Sequence, residues 1–160
     1  MFRGVFNTTI DAKGRTSLPA KFRVVLVETF GDDRFFITNS SPVRLAEGIS
    51  CSGLAIFPYQ EWIAFEEKLI RGTGIGLSSA QLAAVKRRIV APAVECSADK
   101  LGRILIPPHL RKSASLEREI VFAGLLNKAE IWSLAEYEKV RRQDDENFPD
   151  DSTALADLGL

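Results

Sequence analysis

The sequence predicts an α+β, β-rich fold in which two related halves pack into one pseudo-twofold body. Three observations predict it: an internal repeat, β-prone runs in the same order in each copy, and the length. The chain has 160 residues, 46% of them hydrophobic, enough to bury one good core or two small ones. A half of roughly 70 residues is small for independent stability, so each is expected to bury a face against the other.

The repeat is explicit. Asp11-Ala12-Lys13-Gly14-Arg15 returns as Asp99-Lys100-Leu101-Gly102-Arg103, and the match continues at the same offset of 88 through Leu18-Pro19 and Ile106-Pro107 to Arg23 and Arg111. Both copies spell Asp-x-x-Gly-Arg-x-x-aliphatic-Pro-x-x-apolar-Arg. A second block repeats at an offset of 75, pairing Ile56-Phe57 with Ile131-Trp132 and Glu61-Trp62 with Glu136-Tyr137. The difference places a surplus of 13 residues in the first copy, read as a surface-loop insertion at about 38–53.

Taken in order, short β-prone runs flank each Asp-x-x-Gly turn, where glycine supplies the positive φ of a tight hairpin. Pro19 and Pro107 are expected at first helical positions, where a missing N–H costs nothing. Phe22, Val25 and Leu26 support the first helix by spacing; the one after Pro107 is shorter. Strands are expected at Arg34–Ile37 and Glu119–Phe122, then at Leu54–Phe57 and Ala129–Trp132. A helix closes each half: Pro58 opens one with Trp62, Phe65 and Leu69 on one face, and Ser133 with Glu136 has capping-box spacing for the other. Between the halves, Gly72–Gly76 reads as a flexible break. The helix after it begins with a second capping box, Ser78 and Gln81, and turns Leu82, Val85 and Ile89 inward. The expected units are 1–71, a linker and helix at 72–93, a second unit at 94–142, and an acidic disordered tail at 143–160.

Lys and Arg total 21, as do Asp and Glu, which excludes a wholesale polycation. The distribution is uneven. Residues 1–27 carry Arg3, Lys13, Arg15, Lys21 and Arg23 against Asp11 alone, and residues 99–112 carry Lys100, Arg103, Arg111 and Lys112 against Asp99. The repeated motif is thus the basic part of a neutral chain, which suits a phosphate-facing surface. Two readings fit the Asp–Arg pair: a hairpin staple, or an arginine oriented by its aspartate to face a guanine edge. The second assigns Arg15 and Arg103 as readers, with Asp11, Gly14, Asp99 and Gly102 shaping the turns.

Other chemistry lacks its residues. His109 is the only histidine, Cys51 and Cys96 stand apart as reduced thiols, and no serine or cysteine occupies a nucleophile elbow. Neither an enzyme, a cofactor nor a metal centre is expected. Gly72–Gly76 lacks the Lys-Ser/Thr ending of a phosphate-binding loop and reads as a linker. Trp62, Trp132 and Tyr137 fall at core positions, and Lys86-Arg87-Arg88 reads as a solvated helix face. The longest aliphatic run is Val24–Val27, too short to span a bilayer, and no leader pattern precedes it, so a cytoplasmic protein is expected.

The segments Met1-Phe2-Arg3-Gly4, Asp11-x-Lys13-Gly14-Arg15-x-Ser17-x-Pro19, Glu61-Trp62, Glu95-Cys96, Asp99 through Arg111 and Asn127-Lys128-x-Glu130-Ile131-Trp132 together resemble the MraZ family of bacterial transcriptional regulators. The similarity runs in order over about residues 1–142; the 38–53 insertion and the long acidic tail lie outside that pattern. The resemblance implies two AbrB-like swapped-hairpin units per chain and a ring of several subunits. It further implies binding to short direct repeats in the promoter of the division and cell-wall gene cluster, usually as a repressor, and association with the nucleoid. The partners it implies are double-stranded DNA and further copies of the chain, with no membrane and no small-molecule substrate. The DNA contacts map to Arg15 and Arg103, with Arg3, Lys13, Lys21 and Lys100 as further candidates. The alternative is an antitoxin-like protein-interaction module on the same fold.

Overall fold

A computed structural model describes residues 1–72 and 74–160; Thr73, in the expected linker, lies outside the described residues. The fold is α+β. Its strands are β1 (Val5–Thr9), β2 (Arg15–Ser17), β3 (Phe35–Asn39), β4 (Val43–Arg44), β5 (Ser50–Cys51), β6 (Leu54–Pro58), β7 (Val94–Cys96), β8 (Arg103–Leu105), β9 (Glu119–Leu125) and β10 (Lys128–Ser133). Its helices are α1 (Ala20–Phe30), α2 (Tyr59–Arg71), α3 (Ser79–Val85), α4 (Pro108–Ser113), α5 (Leu134–Asn147) and α6 (Ser152–Asp157), with a π-helical turn at Lys86–Val90.

A six-stranded antiparallel sheet has the order β1-β9-β10-β6-β3-β7, and β2 with β8 form a separate two-stranded ribbon. Most pairings therefore join residues of the first copy to residues of the second. The registers obey the repeat: Thr8 faces Ile120 and Phe6 faces Phe122 on β1–β9, while their repeat mates Cys96 and Val94 face Phe35 and Ile37 on β7–β3. In the ribbon, Arg15 faces Leu105 and Ser17 faces Arg103, with Thr16 opposite Ile104 at the centre. In the sheet, Leu54 faces Ile131 and Ile56 faces Ala129, with Ala55 opposite Glu130. A pseudo-twofold axis consequently passes between β6 and β10 on one side and through Thr16–Ile104 on the other.

The core lies between ribbon, sheet and helices. Phe22 of α1 meets Phe2 edge-on at 5.1 Å, Phe6 at 5.3 Å and Phe122 at 6.3 Å, which fastens α1 to the β1–β9 edge. Phe22 is fully buried, an effect of roughly 2–3 kcal/mol for an aromatic of this size. Leu18, Ile104, Ile106 and Leu110 fill the same cluster from the ribbon and α4. Buried Thr16 satisfies its hydroxyl by donating to the Thr9 carbonyl at 2.8 Å.

Several elements differ from expectation. Pro19, Pro58 and Pro107 are N-caps, one residue before the first helical position; at α4 it is Pro108 that takes that position. Ser133 accepts from the Glu136 N–H, one half of a capping box, whereas Ser78 and Gln81 form both halves. The helix after the glycine break buries none of its side chains fully, and Leu82, Val85 and Ile89 are only half-buried, because the segment is attached at the C-terminal end of β3 and not within the core cluster. There the Thr38 hydroxyl and the Asn39 amide donate to the carbonyls of Ile89 and Arg88, holding the π turn in place.

The inserted stretch is not a plain loop but a small hairpin, β4–β5, with a satellite core of Cys51, Trp132 and Val140. Gln143 clamps it to α5, accepting from the Ala46 N–H at 2.8 Å and donating to the Arg44 carbonyl at 2.7 Å. Burial pushes the Cys51 thiol up to about 11. The segment expected as a disordered tail from residue 143 begins inside α5, which runs to Asn147, and Ser152–Asp157 form α6 under an Asp151 cap. Anchoring of Gln143 by the hairpin, which composition does not reveal, carries the helix on.

Candidate nucleic-acid interface

Each Asp-x-x-Gly-Arg segment closes on itself through the same hydrogen bonds. In the first turn Asp11 Oδ1 accepts from the backbone N–H groups of Lys13 (3.0 Å) and Arg15 (2.9 Å), and Oδ2 accepts from Arg15 Nε at 2.7 Å. In the second, Asp99 Oδ1 accepts from Leu101 and Arg103 (both 2.9 Å), and Oδ2 accepts from Arg103 Nε at 2.9 Å. The Gly14 and Gly102 N–H groups donate to the Asp11 and Asp99 carbonyls, with φ of +88° and +79°. Aspartate is required because its short carboxylate reaches backbone N–H groups two and four residues on. These donors, the Arg15 and Arg103 backbone N–H foremost, hold both carboxyls below the usual carboxylate range.

The ion pairs are exposed and add little stability; their effect is orientation. Each arginine spends Nε on its aspartate, and among the described residues the two terminal nitrogens of each guanidinium have no hydrogen-bond partner. The Arg15 and Arg103 side chains are 48% and 46% exposed. Alternation along the ribbon does the rest. Thr16 and Ile104 point into the core, so Arg15, Ser17, Arg103 and Leu105 share the outer face. Diagonal positions on such a face are about 7–8 Å apart, so the two arginines leave the same face of the ribbon as twofold mates, each held towards its own turn.

Arg3, Lys13, Lys21 and Lys100 are all exposed. Lys13 and Lys100 sit in the turns themselves, Lys21 lies on the first turn of α1, and Arg3 lies beyond the far end of β1 from the turn. Lys21 shares a shallow groove with Ser17, Arg23 and Leu101. Two further residues, noted above as the end of the repeated motif and among its basic residues, reach across the axis. Arg111 of the second half lies over Gly14, where Nε donates to the Ile106 carbonyl (3.0 Å) and Nη1 to the Ala12 carbonyl (3.2 Å). Arg23 of the first half lies over Gly102, where an added Cβ would meet its guanidinium carbon at 2.6 Å. Their recurrence at the offset of 88 was the available signal, but a crossing contact has no local signature.

Among the described residues no group of three or more His, Cys, Asp or Glu side chains is placed to hold a metal, and no helix is long and apolar enough to cross a membrane.

Comparison with known proteins adds the following. A family model described as "MraZ protein, putative antitoxin-like" matches residues 1–75 and 89–158. The chain is 76% identical over 160 residues to a protein named "Transcriptional regulator MraZ" from Geotalea uraniireducens, with both chains fully covered. Proteins of the same name from Geobacter metallireducens and Pediococcus pentosaceus are 66% and 38% identical over 160 residues, again with full coverage of both.

Proposed function

We propose, from the premise that this chain belongs to the MraZ family, a family of transcriptional regulators and not of enzymes, that it binds double-stranded DNA sequence-specifically and represses transcription. The observation that carries this reading is the ribbon, an exposed antiparallel pair with two aspartate-held arginines on its outer face. A major groove about 12 Å wide admits a two-stranded ribbon, and an arginine with two free terminal N–H groups can pair bidentately with guanine O6 and N7. Such a pair is worth about 1–3 kcal/mol of base discrimination. The pseudo-twofold of the ribbon suits a duplex that has dyads of its own.

The sites are short direct repeats in the promoter of the division and cell-wall gene cluster, including the gene for this chain. One ribbon offers a modest patch, so several chains assembled in a ring raise avidity by about 10² to 10⁴ when the repeats match their spacing. Occlusion of the promoter then represses, and the protein resides in the cytoplasm at the nucleoid.

The test is fluorescence anisotropy with the chain's own upstream DNA across a salt series. Binding should weaken steeply with salt, and the double variant Arg15→Ala/Arg103→Ala should lose it while retaining its far-UV circular dichroism and its mass by light scattering. Unchanged affinity in that variant refutes the reading.

A second reading, an antitoxin-like module that binds another protein, is favoured by the family description and by the acidic segment after Asn147. Truncation after Asn147 separates the two: it spares α5 and the Gln143 clamp, so loss of a partner with DNA binding intact would assign that segment a protein ligand.

A further inference from the structure

The outer face of the ribbon is symmetric in its arginines but not in their neighbours. Under the pseudo-twofold, Lys13 is the mate of Leu101 and Ser17 the mate of Leu105. At these two positions the first half therefore contributes a lysine and a serine, and the second half two leucines. Both leucines are exposed, Leu101 at 72% and Leu105 at 57%, and neither belongs to a core cluster. Leu105 lies directly opposite Arg15 on the outer face. Leu101, at the tip of the second turn, shares its groove with Ser17, Lys21 and Arg23.

Apolar side chains set among these basic residues suit a partner that is apolar locally and anionic around it. The thymine 5-methyl group in a major groove is such a partner: it stands beside hydrogen-bonding base edges and between phosphate strands, and small apolar contacts read it. Within the DNA-binding reading above, on which this inference rests, we propose that Leu101 and Leu105 are specificity-determining residues that pack on thymine methyls beside the guanines taken by Arg103 and Arg15. Because their mates are Lys13 and Ser17, the ribbon has a direction. A fully twofold ribbon would seat equally well either way round, whereas this one prefers the orientation that brings its leucines to thymine. On direct repeats, every ribbon then points the same way.

The experiment is a cycle between protein and DNA. The chain's own upstream fragment is amplified once with dTTP and once with dUTP, which removes every thymine methyl and leaves all base-pairing edges in place. Affinities are measured by anisotropy for the wild-type chain and for Leu101→Ser/Leu105→Ser, whose substitutions lie at exposed positions. The wild type should bind the uracil fragment about fourfold more weakly for each methyl it buries. The double variant should bind both fragments equally, near the wild-type affinity for uracil DNA. Equal sensitivity to uracil in the two proteins overturns the inference and leaves DNA binding standing. Wild-type insensitivity to uracil with tight binding to both fragments does the same. Wild-type failure to bind either fragment overturns the DNA reading itself and this inference with it. Light scattering on the same samples completes the test: a smaller assembly in the variant, with its uracil sensitivity unchanged, would assign the leucines to contacts between copies and overturn their base-reading role.

Discussion

The two turns share their internal hydrogen bonds almost atom for atom, yet they are supported differently. Over the first, Arg111 comes from α4, six residues long, and is tied to two carbonyls, those of Ile106 and Ala12. Over the second, Arg23 comes from α1, eleven residues long and fastened by Phe22, and its guanidinium rests on Gly102 while remaining exposed. The short helix thus has its arginine bonded into the turn it covers, whereas the long helix is held by aromatic packing and leaves its arginine free. Duplication has retained the ring of bonds that aims Arg15 and Arg103 and let the surroundings diverge.

The largest effect expected from this contrast is on DNA affinity. Arg15→Ala and Arg103→Ala should each weaken binding by about 10- to 100-fold, as one bidentate base contact is worth. Their losses should be unequal, since Arg15 faces Leu105 with Lys13 in its turn, whereas Arg103 faces Ser17 with Lys100 and Leu101 in its turn. Equal losses in titrations of both single variants on one repeat would mean that the neighbours are idle.

Next in size is the cost of alanine at the two glycines, read as a shift in urea midpoint. Both positions carry positive φ, which alone costs roughly 1–2 kcal/mol for an L-residue. At Gly14 a Cβ would also run into the Ile106 carbonyl oxygen, which is backbone and cannot move aside, whereas at Gly102 it would meet the end of the flexible Arg23 side chain. Gly14→Ala should therefore destabilise more than Gly102→Ala.

Smaller again is the difference between the crossing arginines. Arg111→Ala strands two carbonyl acceptors and should cost about 1–2 kcal/mol in urea unfolding. Arg23→Ala should leave stability nearly unchanged. Being exposed beside the ribbon, Arg23 should instead supply a phosphate contact, so its loss should reduce the steepness of the salt dependence by about one unit. A stability loss at Arg23 matching that at Arg111 would erase the asymmetry.

The smallest effect is one of pH. Asp11 and Asp99 have folded-state pKa values below their ordinary value near 3.8. Their contribution is therefore complete above the unfolded value and declines as pH falls through the folded one. Below about pH 4 the loss of stability should be shallower in Asp11→Asn/Asp99→Asn than in the wild-type chain, whose advantage is complete near neutrality and disappears at the acid end. An identical acid limb in both would show that the carboxylates only orient the arginines.

What the sequence determined by itself is what is built locally. The ring Asp–x–x–Gly–Arg closes within five residues, so residue type and spacing suffice to specify the turn, the carboxylate that holds it and the exposed arginine. Helices led by proline caps and strands of apolar residues were legible for the same reason. Tertiary structure decided which edges meet. Period-two alternation states which face of a strand is buried, yet it is silent on which neighbour accepts its hydrogen bonds. The pairing of β2 with β8, which brings Arg15 and Arg103 onto one face, could therefore not be read from either segment alone. The crossing of Arg23 and Arg111, the hairpin made from the 38–53 surplus and the extension of α5 past Arg142 belong to the same class. Each depends on a partner distant in the chain, Gly102, Gly14 or Gln143, and contacts of that kind arise only when the two halves close on each other.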